Sequence, residues 1–209
     1  MDSRRAESFS DGVFAVAITV LVFNLLPIAD KTASDLTARS LGHYWPAYLA
    51  YVVSFFTIGI MWTNHHGMLG QVTKVDRPLL LLNLLLLMGI VALPFPTALV
   101  AQHLAAASGR GAALATVIYG LNMIFISVAF GLTWLYVAAH AQALGGSSQL
   151  RVRALSSVRF TAGNVGYVAG TLIAAFIWPV AGLIIFGLLA VYYMFEHLPT
   201  PDSDSAEDA

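Results

Sequence analysis

Six long apolar runs, separated by short polar or small-residue stretches, divide this chain. The first reads as Ser8–Pro27 and the second as Trp45–His65. The third is Pro78–Gln102, with Pro94 and Pro96 near its far end. The fourth, fifth and sixth are Gly111–His140, Leu155–Trp178 and Val180–His197. Each approaches or exceeds the length that crosses a bilayer as a helix, about 20 residues. Most are apolar on every side, as expected of helices with apolar surroundings all round. The pattern predicts an all-α integral membrane protein with six transmembrane helices over residues 1–198. Residues 199–209 are acidic, without apolar side chains to bury, and read as a disordered tail. No A-x-A-like site ends the first run, so no cleavable leader is expected.

Composition narrows this further. Hydrophobic residues make up 58% of the 209, and Asp, Glu, Lys and Arg only 10%, against about 25% charged residues in a soluble domain. Six spans would take about 120 residues, which leaves short loops and excludes a large soluble domain. There are no cysteines, which excludes disulfides, thiolate zinc sites and thiol catalysis. A net charge of −1 gives no support for nucleic acid as a partner. With an internal N-terminus, Arg4, Arg5, Lys74, Arg77, Arg151, Arg153 and Arg159 fall inside, and only Lys31, Arg39 and Arg110 outside. This bias predicts cytoplasmic N- and C-termini in a multi-pass protein of the plasma membrane. Trp45 and Trp178 then fall at outer interfaces and Trp62 near an inner one.

The first run differs from the others in kind. At 100° per residue, Gly12, Val16, Thr19, Phe23 and Leu26 share one narrow stripe, with Val20 beside it. Thr19 is the stripe's one hydroxyl at membrane depth. Two readings stand. The stripe is either a packing face, with the Thr19 hydroxyl bonded back to a carbonyl one turn earlier, or the lining of a pore built from several copies. The entrance to this run gathers Arg5, Ser8, Ser10 and Asp11. Ser8 and Asp11 fit a helix start, with Ser8 as cap. A carboxylate so close to apolar sequence needs a partner, because an unpaired charge at mid-membrane costs about 2.5–3.5 kcal/mol. Arg5 and Asp11 do not share a helix face, so that partner is expected on another helix.

These residues carry a resemblance. Arg5-x3-Phe9-Ser10-Asp11, followed by Gly12-Val13-Phe14-Ala15-Val16-Ala17-Ile18-Thr19, resembles the R-x3-F-S-D signature of the transmembrane protein 175 family of potassium channels. Trp62-x2-His65-x8-Lys74-x-Asp76-x6-Asn83-x10-Pro94 resembles the second and third spans of the same repeat. The motifs cover about residues 5–96, and span count alone covers the rest. The resemblance implies a bacterial-type single repeat that assembles as a homotetramer, with the first helix of each subunit lining the pore. It implies hydrophobic rings at Val16, Val20 and Phe23 and a role in potassium preference for Thr19. The ring sites are often Leu or Ile in the family, so Val, Val and Phe here change the ring sizes. It also implies that Arg5, Phe9, Ser10 and Asp11 pin the first helix against the others. Trp62, His65 and Asn83 are the candidate partners of Asp11 or Ser10.

Other signals weigh less. Asn164-Val165-Gly166-Tyr167-Val168 lacks the leading Thr and trailing Gly of a T-V-G-Y-G filter, and it sits inside a full span. Gly163, Gly166 and Gly170 are instead expected to let helices approach closely. His65 and His66 point about 100° apart on a helix, so no metal site is expected. No H-E-x-x-H is present, and Ser54 and Ser127 lack a nucleophile setting, so no enzyme and no cofactor are expected. The expected function is a potassium-permeable, modestly potassium-selective cation channel with a hydrophobic constriction. Its partners would be further copies of itself, the bilayer and permeating K+. The alternative is a secondary transporter of a cation or small solute, which would need broken helices and a midplane polar site.

Overall fold

The computed structural model describes residues 2–33, 36–104, 109–147 and 158–195. Arg151, Arg153, His197 and the acidic tail 199–209 lie outside the described residues. Among the described residues the regular structure is helical, apart from one isolated bridge between Asp2 and Lys74. The helices are α1 (Ser3–Val20), α2 (Leu26–Thr32), α3 (Ala38–Gly42), α4 (Trp45–Leu69) and α5 (Arg77–Ala92). They continue as α6 (Pro94–Leu104), α7 (Arg110–Ala139), α8 (Val158–Phe176) and α9 (Pro179–Phe195). A 3-10 turn, Leu21–Leu25, joins α1 to α2.

Four stretches are long and apolar enough to cross a membrane: Ser3–Asp30, Trp45–Leu69, Arg77–Leu104 and Arg110–Ala139. The shortest has 25 residues, about 37 Å of helix against a hydrocarbon core of about 30 Å. Two shorter apolar helices, Gly163–Phe176 and Pro179–Tyr193, accompany them. The third stretch is broken where its sequence demands it. Pro94 and Pro96 lack the amide hydrogens that would continue α5, so the helix stops at Ala92 and restarts at Pro94. The Thr97 hydroxyl donates to the Leu93 carbonyl at 2.8 Å, satisfying a group beside the break.

The first stretch is longer than its pattern suggests. It begins at Ser3 rather than Ser8, because Asp2 caps it: the Asp2 carboxylate accepts from the Arg4 amide at 3.0 Å. Ser8 is therefore not the cap. It lies inside α1, and its hydroxyl donates to the Arg4 carbonyl at 2.9 Å. Beyond Pro27 the chain continues helical to Thr32, and the loop holds the unforeseen α3. A reciprocal cap between Thr37 and Ser40 starts that helix.

The main core lies between α1, α4, α5, α6, α7, α8 and α9. Phe186 stacks on Tyr119 with ring centroids 5.6 Å apart, and Tyr167 packs against the same ring at 6.1 Å. The glycines of α8 face α9, Gly166 toward Leu189 and Gly170 toward Phe186. At Gly182 a Cβ would stand 2.8 Å from the Gly170 carbonyl oxygen, so only glycine admits this crossing. One end of the bundle is tied by backbone. Ser3 N–H donates to Thr73 O at 3.2 Å, and the amides of Thr73 and Lys74 both donate to Leu144 O. At the other end Ile28 packs with Ala47 and Ala101. The start of α1 thus shares an end with the α4–α5 turn and with the segment after α7.

Candidate functional site

The site is built on two opposite faces of α1. Ser3, Ala6, Ser10, Phe14 and Ala17 are buried, and Leu21 continues the row. Steps of three and four residues place them on one helical face, and α4 and α5 cover it. The other face is bare. Phe9, Val16, Phe23 and Leu26 are 55–60% exposed, and Arg5, Gly12 and Thr19 are exposed with them. Val20 is half-buried and flanks the bare face. Only 22% of the apolar window in this stretch is buried, against 44–50% in the other three.

Polar side chains of the buried face connect three helices. The Ser10 hydroxyl donates to the Ala6 carbonyl at 2.8 Å and accepts from the Asn83 amide nitrogen of α5 at 2.9 Å. With that nitrogen donating, Asn83 Oδ1 is free to accept, and it lies 2.7 Å from His65 Nε2 of α4. His65 must then carry its proton on Nε2, because a neutral imidazole has one donor and one acceptor. His65 is fully buried, and its ring centroid lies 5.4 Å from that of Phe14. This chain leaves the His65 Nδ1 lone pair without a partner among the described residues.

A second set of bonds runs along the edge of the bare face. Trp62 Nε1 donates to Asp11 Oδ1 at 2.8 Å, so the carboxylate near the membrane has its partner on α4. One turn earlier, Glu7 pairs with His66 Nδ1 at 2.6 Å. His65 and His66, neighbours in sequence, therefore serve different elements: His65 points to α5 and His66 to the start of α1. Trp62 bonds Asp11 and Asn83 bonds Ser10 directly, whereas His65, expected as a partner of the pair, reaches it only through Asn83. Arg5 and Phe9 do not join them; both are exposed at the same end.

Thr19 makes the local bond foreseen for a packing face. Its hydroxyl donates to the Val16 carbonyl at 2.9 Å. The residue nevertheless lies on the bare face, so packing within this chain does not account for it. With the proton spent on the backbone, the hydroxyl offers only lone pairs outward. That suits it to face a cation and not an anion. The stripe also differs from the uniform-helix expectation. The 3-10 turn winds Val22 onto the bare side, 46% exposed. Period counting at 100° per residue missed it because a 3-10 turn advances by about 120°.

The bare apolar stripe, with one hydroxyl and a polar network behind its entrance, defines an all-α membrane protein whose first span has a face that its own chain leaves uncovered. The family described as endosomal/lysosomal potassium channel TMEM175 matches residues 5–94, which contain the whole network. A potassium channel of Streptomyces collinus is 39% identical over 206 residues, covering 98% of both chains. The chain belongs to this family. Its fold resembles the crystal structure of a lysosomal potassium-selective channel TMEM175 homolog from Chamaesiphon minutus. There the TM-score is 0.75 at 30% identity, over 92% of this chain and 96% of that one. The endosomal/lysosomal proton channel TMEM175 of Gallus gallus is 38% identical over 102 residues, 45% of this chain and 20% of that protein. The family and these relatives are ion channels, not enzymes.

Proposed function

We propose that this chain is a potassium-permeable cation channel of modest selectivity. Four copies assemble around an axis so that the bare faces of α1 line one water-filled path. The observation that carries this reading is the inversion of α1. Ser10 and Asp11 bond to side chains of other helices of the subunit, and the stripe of Val16, Thr19, Phe23 and Leu26 looks out. A lipid-facing helix would gain from the apolar stripe but would have no use for Gly12 and Thr19 on it.

In this arrangement Val16, Val20 and Phe23 form the constriction, which gates by dewetting: a narrow apolar neck excludes water until it widens. Thr19 sets the preference for potassium through its outward lone pairs. Arg5, Phe9, Ser10 and Asp11, with Trp62, His65 and Asn83, hold the inner end of α1 in place. Residues 1–198 form one six-span repeat, α8 and α9 being its last two spans. Both termini lie on the cytoplasmic side of the plasma membrane. Support comes from the basic residues Arg4, Arg5, Lys74 and Arg77 at the end of the bundle where α1 starts.

The test is a reversal potential. The purified protein, with its oligomeric state measured by mass, is placed in a planar bilayer with potassium opposed to sodium. Discrete currents reversing toward the potassium equilibrium potential are expected. Currents reversing near zero would remove the selectivity and keep the pore. Coupled flux without discrete currents would replace the channel by a transporter.

A further inference from the structure

Two helical irregularities of this subunit meet at one side chain. The first is the 3-10 turn Leu21–Leu25, which interrupts the first stretch just beyond Thr19 and Val20. The second is the proline break of the third stretch at Leu93–Pro94. Asn24, in the 3-10 turn and half-buried, donates its Nδ2 to the Pro94 carbonyl at 3.0 Å. Leu21 at the start of the turn is fully buried, as is Leu93 at the break. The turn also packs on α4 and α6. Leu21-Val22-Phe23-Asn24-Leu25 contains no proline or glycine, but Pro27 just beyond it has no N–H for the Phe23 carbonyl, which accepts from Leu26 N–H instead, so the sequence weakens the α-helix here without fixing how the turn is held. Runs of 3-10 helix this long are uncommon, because their hydrogen bonds are poorer than those of an α-helix. The Asn24 bond to Pro94 supplies an external tie at this weak point.

We propose that Asn24 is that tie, and that it is a positioning residue of the conduction path. It latches the wound turn of α1 onto the broken third span. In doing so it fixes which side chains beyond Val20 look toward the axis. The geometry makes this a discrete setting. Five residues at about 120° and about 2.0 Å rise, in place of about 100° and about 1.5 Å, turn everything beyond them by about 100° and extend it by about 2.5 Å. Leu26 therefore faces one way with the latch closed and about 100° away with the turn relaxed to α-helix. Val16, before the turn, faces the same way in both states. The carbonyl that receives the bond belongs to a proline at a helix break, so movement of α6 against α5 would be felt directly at the turn. This inference rests on the reading that α1 lines the path, and the experiment separates the two.

The chain has no cysteines, so single thiols can be placed without a background. Val16→Cys and Leu26→Cys are made in the full-length protein, reconstituted, and exposed to a small charged methanethiosulfonate while current is recorded. Block at Val16→Cys and Leu26→Cys is expected with Asn24 present. Each is then combined with Asn24→Asp, which keeps the shape and removes the donor, and with Asn24→Leu, which stands in if the aspartate does not assemble. The rate of block at Leu26→Cys should change several-fold while the rate at Val16→Cys stays the same. Asn24→Gln, which retains a donor, should move the Leu26→Cys rate back toward its original value. Identical Leu26→Cys rates with and without the Asn24 amide overturn the latch and leave the pore standing. Absence of block at both thiols in the Asn24 background overturns the pore reading and the latch with it.

Discussion

Trp62 and Asp11 are 51 positions apart in sequence and joined by one hydrogen bond of 2.8 Å, indole nitrogen to carboxylate oxygen. The bond fixes α1 to α4 at the end where the bare stripe begins. It also explains how a carboxylate can stand beside deep apolar sequence, since an acceptor at that depth needs a donor that water does not supply. Trp62 is 42% exposed in the single subunit, so the bond is placed at the low end for one to a charged group, about 1.5 kcal/mol.

Trp62→Phe keeps an aromatic side chain, though a smaller one, and removes the donor. It should lower the melting temperature of the detergent-solubilised protein by about 2–4 °C per kcal/mol lost. Asp11→Ala removes the acceptor and should impair assembly more than it alters selectivity. Size-exclusion chromatography with mass detection, followed by a reversal potential on any intact oligomer, checks both. A stable oligomer with changed selectivity would move Asp11 from the scaffold to the conduction path.

Val16 is 60% exposed in the middle of the stripe. If it forms an apolar ring, a polar side chain there lowers the cost of wetting the neck. Val16→Asn should raise unitary conductance several-fold and loosen discrimination between potassium and sodium. Single-channel recording decides it, and unchanged currents would remove Val16 from the path.

Thr19 donates its proton to the Val16 carbonyl. A potassium ion passing the stripe would meet a hydroxyl oxygen whose lone pairs are free and whose hydrogen is occupied. Thr19→Val keeps the shape and deletes the oxygen. The reversal potential under opposed potassium and sodium should then move toward zero, with the oligomer unaffected. The same reversal potential in the variant would show that the oxygen plays no part in ion preference.

Much of this arrangement is legible in the sequence, for identifiable reasons. A bilayer leaves an amphipathic stripe nothing to bury against except protein, so the departure of span one from uniform apolarity stands out by period alone. A carboxylate beside membrane sequence likewise announces a partner, and the indole of Trp62 is that partner. Other features are illegible because they depend on tertiary choice. Asp2 takes the cap in place of Ser8 because Ser3 N–H and Lys74 hold the chain start against the α4–α5 turn. The 3-10 turn that brings Val22 to the bare side contains no proline or glycine; Pro27 just after it marks a weakened helix but not how that turn winds. The order of the Ser10–Asn83–His65 chain depends on amide orientation, which no spacing encodes.

Asp76 offers a test at the end of the bundle where α1 starts, outside the spans. It caps α5 by accepting from Leu79 N–H at 3.0 Å, and its second oxygen accepts from the Tyr136 hydroxyl of α7 at 2.6 Å. Partial burial alone would raise its pKa. The Tyr136 hydroxyl, the Leu79 amide and the nearby His140 charge outweigh that, and hold the carboxyl below its ordinary value of 3.8. A depressed pKa means that the ionised form is favoured by folding. The stabilisation is complete above the ordinary value and is lost as pH falls through the depressed one. Tyr136→Phe removes the strongest of these lowering influences and brings the folded carboxyl back toward its ordinary value, so the part of the acid loss of stability that Asp76 carries should shrink. It should also cost about 1 kcal/mol at neutral pH. Asp76→Asn, which cannot ionise, should flatten the dependence in this window. Thermal unfolding in detergent, followed from pH 7 to below the carboxylate range, measures all three curves. Parallel curves for the unaltered protein and Asp76→Asn would show that this carboxylate does not tie α5 to α7 through its charge.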